Sequence, residues 1–254
     1  VGPGRTPCRN LPRYDARVNL LLVEPTELHD GCCVLDDRRA AHLRAVLGVT
    51  PGAVIKMGVL GGPLGTGHVL ADDSAGITLR FTSTGLPAPQ LEVELVLAMP
   101  RPKVLARVIE ACAAFAIRRI DLTNAWRVDK SYLKSPKLAP AALALDARLG
   151  AEQGATTHRP EIHVLERLMG LLDSRFATPG PRRLLAHPQA PPIEAVAGKG
   201  PAIIAIGPEG GWIERELATF AERGFLACSL GAPILRVESA VSVALGQLML
   251  LARL

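Results

Sequence analysis

Apolar and polar positions change rhythm once along this chain, near residue 88. Before that point, short apolar runs at Leu20–Val23, Cys32–Leu35, Ala53–Val59, Gly67–Leu70 and Ile77–Phe81 are parted by Pro-Gly, Gly-Gly and Asp-Asp turn signals. That spacing predicts a small β-rich unit over 18–88. One helix interrupts it, Asp37–Leu47, capped by Asp36 or Asp37, with Leu43, Val46 and Leu47 as its apolar stripe. Its other face carries Arg38, Arg39, His42 and Arg44. Leu86-Pro87-Ala88-Pro89 then punctuates the chain, which places a second domain over 89–254. There strands and helices alternate, as in an α/β fold with a parallel sheet. The strands are Val93–Met99, Ile120–Thr123, Ile162–Leu165, Arg183–Ala186, Ala202–Ile206 and Phe225–Leu230. The helices are Val104–Phe115, Leu138–Leu149, Glu214–Arg223 and Ser239–Leu254.

Length and composition agree with this division. A chain of 254 residues, 48% hydrophobic, can bury two modest cores, and with only 4% aromatics those cores must be built from Leu, Val, Ile and Ala. The richest apolar run, Val241–Leu251, is broken by Ser242, Gly246 and Gln247, so no membrane partner is expected. Five cysteines without a C-x-x-C pair suit a reducing, cytoplasmic setting and free thiols. Residues 1–17 are Pro-, Arg- and Gly-rich without periodicity and read as a disordered or non-native extension.

Charge adds a location. The formal net charge is +5. From Val18 to Ala88 five basic residues face seven acidic ones, whereas from Arg101 to Lys137 nine basic residues face three. The second segment is the stronger electrostatic candidate for contacting phosphates, with a solvated helix face as the bland alternative.

Several chemistries are excluded by pattern. There is no G-x-x-x-x-G-K-[ST] loop, no G-x-G-x-x-G after an early strand, no G-x-S-x-G elbow, and no His/Cys cluster with metal spacing. What remains is a set of junctions after strands: Gly207, Gly210 and Gly211 after Ile206, Leu230 and Gly231 after the last strand, and His187-Pro188 after Ala186. In open α/β sheets, ligands settle beyond the carboxyl ends of strands, where glycine lets backbone approach closely. Glu209 precedes a helix, where exposed amides favour its charge. Arg236 and Glu238 bracket the start of the last helix; a structural Arg–Glu pair is the alternative reading.

Ile206-Gly207-Pro208-Glu209-Gly210-Gly211, together with Leu230-Gly231 and Ile234-Leu235-Arg236-Val237-Glu238-Ser239-Ala240, resembles the signature of the RsmE family of SPOUT methyltransferases. The likeness extends over nearly all of 18–254, through Arg39-Ala40-Ala41-His42-Leu43-Arg44-Ala45-Val46-Leu47, Glu152-Gln153 and Arg159-Pro160-Glu161-Ile162. It implies an α/β fold with a trefoil-knotted SPOUT methyltransferase domain, an exception to the usual absence of knots, preceded by a small PUA-like β-barrel that binds RNA. It also implies a homodimer that uses S-adenosyl-L-methionine to methylate N3 of a uridine in 16S, small-subunit, ribosomal RNA, as RNA or as the 30S-type subunit. Cofactor contacts then fall on His187, Gly207, Gly211, Leu230, Gly231, Ile234 and Leu235, and the reaction centre on Arg236, Glu238 and Glu209. RNA contacts are expected at Arg38, Arg39, Arg44, Arg101, Lys103, Arg127, Lys130 and Lys134. Four places depart from the family pattern: Pro233 and Gly48 stand for arginines, Ala114-Phe115-Ala116-Ile117 for Glu-Leu-Gly-Val, and Thr156-Thr157 for a basic stretch. Two readings stay open beside this one: another SPOUT activity such as ribose 2′-O methylation, and a non-catalytic rRNA-binding assembly factor.

Overall fold

The computed structural model describes residues 20–253; the extension read over 1–17, with Cys8, lies outside the described residues. The chain builds two sheets with separate apolar cores. In the first, β1 (Leu21–Val23), β2 (Cys32–Leu35), β3 (Val54–Val59), β4 (Leu64–Asp73) and β5 (Gly76–Ser83) lie in the order β1-β3-β4-β5-β2. β1 runs parallel to β3, and the other pairs are antiparallel. The expected strand at Gly67–Leu70 is the middle of a longer strand that carries a bulge between Val69 and Ala71. Gly76, at φ +130°, closes the β4–β5 turn against β2; a Cβ there would sit 2.3 Å from the Leu35 carbonyl oxygen, so only glycine fits.

The expected Asp37–Leu47 helix divides in two. α1 (Arg38–His42) starts where Asp37 Oδ1 accepts from the Arg39 amide at 2.8 Å, and the chain then widens into a π-type turn over Leu43–Leu47. Gly48, at φ +55°, stops it in the left-handed conformation, a role an arginine fills poorly.

β1 explains the continuous apolar run at the start of the described chain. Leu21 and Val23 enter the core of the first sheet, while Leu20 and Leu22 enter the core of the second. Strand alternation thus sends one face to each core, and the two domains share a strand's two sides.

The second sheet comprises β6 (Leu91–Ala98), β7 (Ile117–Thr123), β8 (Glu161–Leu165), β9 (Arg182–Ala186), β10 (Ala202–Ile206) and β11 (Phe225–Cys228). All pairs are parallel, in the order β11-β9-β10-β6-β7-β8. The chain fills β6, β7 and β8 in one direction, then returns to lay β9, β10 and β11 on the other side of β6. That reversal puts a crevice beyond the carboxyl ends of the strands beside β6. The connections are α2 (Pro102–Ala114), α3 (Pro140–Gln153), α4 (Leu168–Arg175), α5 (Ile193–Val196), α6 (Glu214–Glu222) and the terminal α7 (Val237–Leu251). α4 and α5 are absent from the sequence reading because each is too short to display a helical period.

Two short-range constraints hold α3 and β7 in place. Gly150 on α3 and Gly154 at its C-cap leave room for the α2 backbone: a Cβ would lie 2.2 Å from the Glu110 carbonyl oxygen at the first and 2.4 Å from that of Ala114 at the second. Ala116 takes the left-handed conformation at φ +54° between α2 and β7, which accounts for the glycine that the family pattern has at this position.

Side chains expected to be basic or missing turn out to join the domains. Thr157, buried, donates its hydroxyl to the Gly62 carbonyl at 2.8 Å and accepts the Gly61 amide on its own carbonyl at 2.7 Å. Its methyl carbon fills the space of a Gly58 Cβ. The Thr156-Thr157 departure is therefore a packing joint. Arg39 needs the opposite correction. It is buried at 6% exposure, hydrogen-bonds the Leu22 carbonyl at 3.0 Å and is clamped by Glu27 and Asp37. A guanidinium with those partners has no donor left for RNA, so Arg39 is structural.

The Arg39 hydrogen bond also holds the Glu27 carboxyl below its ordinary value of 4.5. A depressed folded-state value means stabilisation that is complete above the ordinary carboxylate range and lost as pH falls through the folded value. Arg39→Ala is expected to lower unfolding free energy by about 3 kcal/mol, the low end for a broken buried pair because both carboxylates stay partly hydrated. In urea unfolding, the stability gap between the native chain and Glu27→Gln should narrow as pH drops below about 4; a gap independent of pH would refute the pairing.

Candidate active site

The junctions after β9, β10 and β11 close around one cavity of about 530 Å³. Its wall includes His187 and Pro188 after β9, Ile206 through Trp212 after β10, and Leu230 through Val237 into the start of α7. Every residue expected to contact a cofactor lies on it: His187, Gly207, Gly211, Leu230, Gly231, Ile234 and Leu235. Arg236 and Glu209 line it as well. Glu238 does not; it sits on the first turn of α7, where its carbonyl accepts the Ser242 hydroxyl at 3.1 Å.

Local chemistry explains the shape. Gly211, at φ +72°, turns the chain back so that its amide meets the Pro208 carbonyl at 2.8 Å. Gly207 lets the indole of Trp212 lie against the backbone; a Cβ would stand 3.0 Å from Trp212 Nε1. Trp212 is buried and packs edge-on to Phe220 at 4.9 Å between ring centroids, and Phe220 packs on Phe225 in the same way. The apolar ring triplet fixes the floor of the β10 loop. Trp212 Nε1 has no hydrogen-bond partner among the described residues. The β11 loop is tied down by Gln247 of α7, whose Nε2 donates to the Leu230 carbonyl at 3.1 Å. The His187 amide reaches the Cys228 carbonyl at 2.8 Å, stitching the β9 and β11 loops together. Burial pushes the Cys228 thiol up to about 11, so it is an inert packing group.

The cavity can accept a ligand with both apolar and polar surfaces. Leu230, Ile234, Leu235 and Ala240 offer apolar wall. The amides of Leu230, Ile234 and Leu235, in coil, are taken up by no hydrogen bond among the described residues, so they leave donors available. Its volume falls in the range of small-molecule sites, about 300–1,000 Å³.

A fourth segment joins the wall. Arg127, in the loop after β7, lines the cavity and donates from Nη1 to the Gly210 carbonyl at 2.5 Å. Arg101, at the start of α2, pairs through Nε with Glu209 Oε1 at 3.3 Å. Glu216, buried in the first turn of α6, accepts the Ile213 amide at 2.9 Å and the Trp126 amide at 2.8 Å. One carboxylate thus caps its own helix and anchors the β7 loop.

The remaining basic candidates separate by partner. Lys103, Lys130 and Lys134 are exposed, the last two on a 3₁₀ turn over Lys130–Lys134. Arg38 pairs with Glu152 at 3.2 Å and Arg44 with Asp72 at 2.6 Å. Of the nine basic residues counted from Arg101 to Lys137, Arg118 pairs with Glu92 and Arg119 with Asp121, so the excess near the cavity is smaller than composition suggested. Three site residues escaped the sequence reading. A glutamate three residues past a helix start was a readable sign of Glu216. Trp212 and Gln247 gave no sign, because their roles depend on loops brought together by the sheet.

Comparison with known proteins agrees with this geometry. The RNA methyltransferase domain family matches residues 87–249. The chain is 28% identical over 236 residues to the ribosomal RNA small subunit methyltransferase E of Treponema pallidum, covering 89% of each. It is 26% identical over 231 residues to a methyltransferase E of Borreliella burgdorferi, covering 89% of this chain and 95% of that one. Among solved structures, the ribosomal RNA small subunit methyltransferase E of Neisseria gonorrhoeae, bound to S-adenosyl methionine, superposes with a TM-score of 0.77 at 21% identity, over 92% of this chain and 98% of that chain. A methyltransferase from Legionella pneumophila in complex with the same cofactor gives 0.74 at 21% identity, over the same shares. With two sheets in this order, a cavity at the strand ends and a family match spanning the whole of it, the chain belongs to the RNA methyltransferase domain family.

Proposed function

We propose that this chain is an S-adenosyl-L-methionine-dependent methyltransferase acting on N3 of a uridine in small-subunit ribosomal RNA. The observation that carries the reading is the convergence of the three junctions after β9, β10 and β11 on one cavity, with Arg236 in its wall. The first sheet serves as a PUA-like RNA-binding unit over 18–88, and the methyltransferase domain spans 89–254. In favour of a trefoil knot in that domain stand the late insertion of β10 between β9 and β6 and the packing of α7 on β6, β10 and α2. The enzyme works in the cytoplasm as a homodimer, with α7 at the interface.

The residues present fit the cofactor. His187, Gly207, Gly211, Leu230, Gly231, Ile234 and Leu235 would hold it, with the free amides of Leu230, Ile234 and Leu235 as donors and their side chains as apolar contact. When bound, it supplies an electrophilic methyl group on a sulfonium, so the protein need not create a strong electrophile.

The protein's own work is on the uracil. Its N3 is an imide that keeps its proton at neutral pH, and that proton must leave for the nitrogen to attack. Arg236, exposed in the cavity wall ahead of α7, is placed to donate to a uracil carbonyl oxygen as negative charge develops there. Glu209 is the better candidate to accept the proton, directly or through water, because it lines the cavity and Arg101 orients its carboxylate. Glu238 is set back on α7 and would act on Arg236 or the helix start.

Incubating the chain with methyl-labelled cofactor and small subunits from a strain lacking the enzyme should label one uridine, and mass spectrometry should place the methyl on the base. A methylated ribose would replace this reading with the 2′-O activity, and cofactor-independent RNA binding alone would leave an assembly factor. Arg236→Ala should cost roughly 3–4 kcal/mol of transition-state stabilisation with RNA binding retained; near-normal turnover would remove it from the mechanism. Loss of a general base costs about 10²–10⁴-fold in rate, so Glu209→Gln should slow turnover by that order and Glu238→Gln by much less. The reverse order would transfer the role to Glu238. Gly207→Ala should push the Trp212 ring into the cavity and weaken cofactor binding about tenfold by calorimetry, an overpacking cost of about 1–3 kcal/mol; unchanged affinity would show that Gly207 does not shape the site.

A further inference from the structure

Two tryptophans flank the active-site loops, and they are treated oppositely. Trp212 is buried under the cavity, whereas Trp126 is 78% exposed, among the most exposed large apolar side chains described. An indole left in water forfeits a large apolar contribution. The backbone that carries it is nonetheless well anchored. The Trp126 amide donates to buried Glu216, the neighbours Ala125 and Val128 are buried, and the Val128 amide returns to the Ala125 carbonyl at 3.1 Å. The next residue, Arg127, reaches into the cavity wall through Gly210. Exposed Lys130 and Lys134 follow on the adjoining 3₁₀ turn, which Asp129 starts by accepting the Ser131 amide at 2.9 Å.

An exposed aromatic on a fixed loop, followed by cations and one residue from a catalytic cavity, has the chemistry of a stacking platform for single-stranded nucleic acid. The ring offers a face that any base can cover, and the cations meet the phosphates on either side. We propose that Trp126 stacks on an unpaired nucleobase beside the uridine that enters the cavity, holding the strand so that its neighbour is presented to Arg236. The inference rests on the RNA methyltransferase reading and adds a residue that recognises substrate outside the cavity. Its energetic role is in binding, since the indole belongs to the β7 loop rather than to the wall that holds the cofactor.

The test compares the native chain with Trp126→Ala and Trp126→Phe, using a small-subunit ribosomal RNA transcript for binding and small subunits for methyl transfer. Stacking on one base is worth about 1–3 kcal/mol by alanine substitution, so Trp126→Ala should raise KM for the subunit and Kd for the transcript roughly ten- to hundredfold. It should leave kcat and affinity for S-adenosylmethionine within about twofold, and Trp126→Phe should recover most of the loss. Transcript binding should also quench a tryptophan signal that Trp126→Phe removes. Normal KM and Kd in an active Trp126→Ala would overturn the stacking role and leave the methyltransferase reading standing. Quenching and RNA binding without any methyl transfer would sink that reading and keep Trp126 as an RNA contact. Neither binding nor transfer by the native chain would end both. A changed sedimentation coefficient with unchanged RNA affinity would overturn the proposal by assigning the indole to contact between copies.

Discussion

The carboxylate of Glu216 is the tie on which the cavity wall depends. Two loops that leave different strands, β7 and β10, must keep their relative position if the cavity is to keep its wall. Glu216 accepts an amide from each, Ile213 and Trp126, in a buried setting where an unpaired charge would be costly. With that tie made, Arg127 lies within reach of Gly210, and Arg101 within reach of Glu209. The same carboxylate caps α6, so helix, loop and cavity wall are fixed by one group. The Trp212–Phe220–Phe225 stack supplies the apolar half of the arrangement, since it sets the β10 loop against α6 and β11 from below.

A similar economy governs the contact between domains. β1 lies at the edge of the first sheet, where free carbonyls invite unwanted strand pairing. Its Leu22 carbonyl is covered by Arg39 from its own domain, at 3.0 Å, and by Arg148 of α3, at 2.8 Å. Glu24 and Glu27 face Arg148, with Arg159 beside Glu24, so the charges that protect the edge also hold the two units together. Thr157 completes the joint on the β3–β4 turn. Arginines that look like RNA ligands by type are, at this seam, structural.

The consequence for function is a division of the basic residues. Arg38 and Arg39 of α1, Arg44 on the turn after it, and Arg118 and Arg119 of β7 are paired with acids, whereas Lys103, Lys130 and Lys134 are exposed and Arg127 lines the cavity. Exposed cations therefore follow one another along the loop after β7, next to the exposed indole. Charge counts along a sequence overstate such a patch, because they include every cation whose counter-charge lies on a neighbouring strand.

The sequence by itself determined the elements whose signal is local. Apolar period and the Pro-Gly and Gly-Gly turns marked most strands of the two sheets and the terminal helix. Glycines after apolar runs marked the cavity wall, because close backbone approach leaves glycine little alternative. Tertiary structure decided what depends on distant partners. Arg39 is buried because β1 and α1 bring Leu22, Glu27 and Asp37 around it. Glu238 falls outside the cavity wall because helical geometry turns it away two positions after Arg236. Trp126 stays in water while Trp212 is covered, because only Trp212 meets the Phe220 ring and the Gly207 backbone. Local pattern fixes conformation over a few residues; which side chain meets which is set by strand order, and strand order is legible only once the sheet has formed.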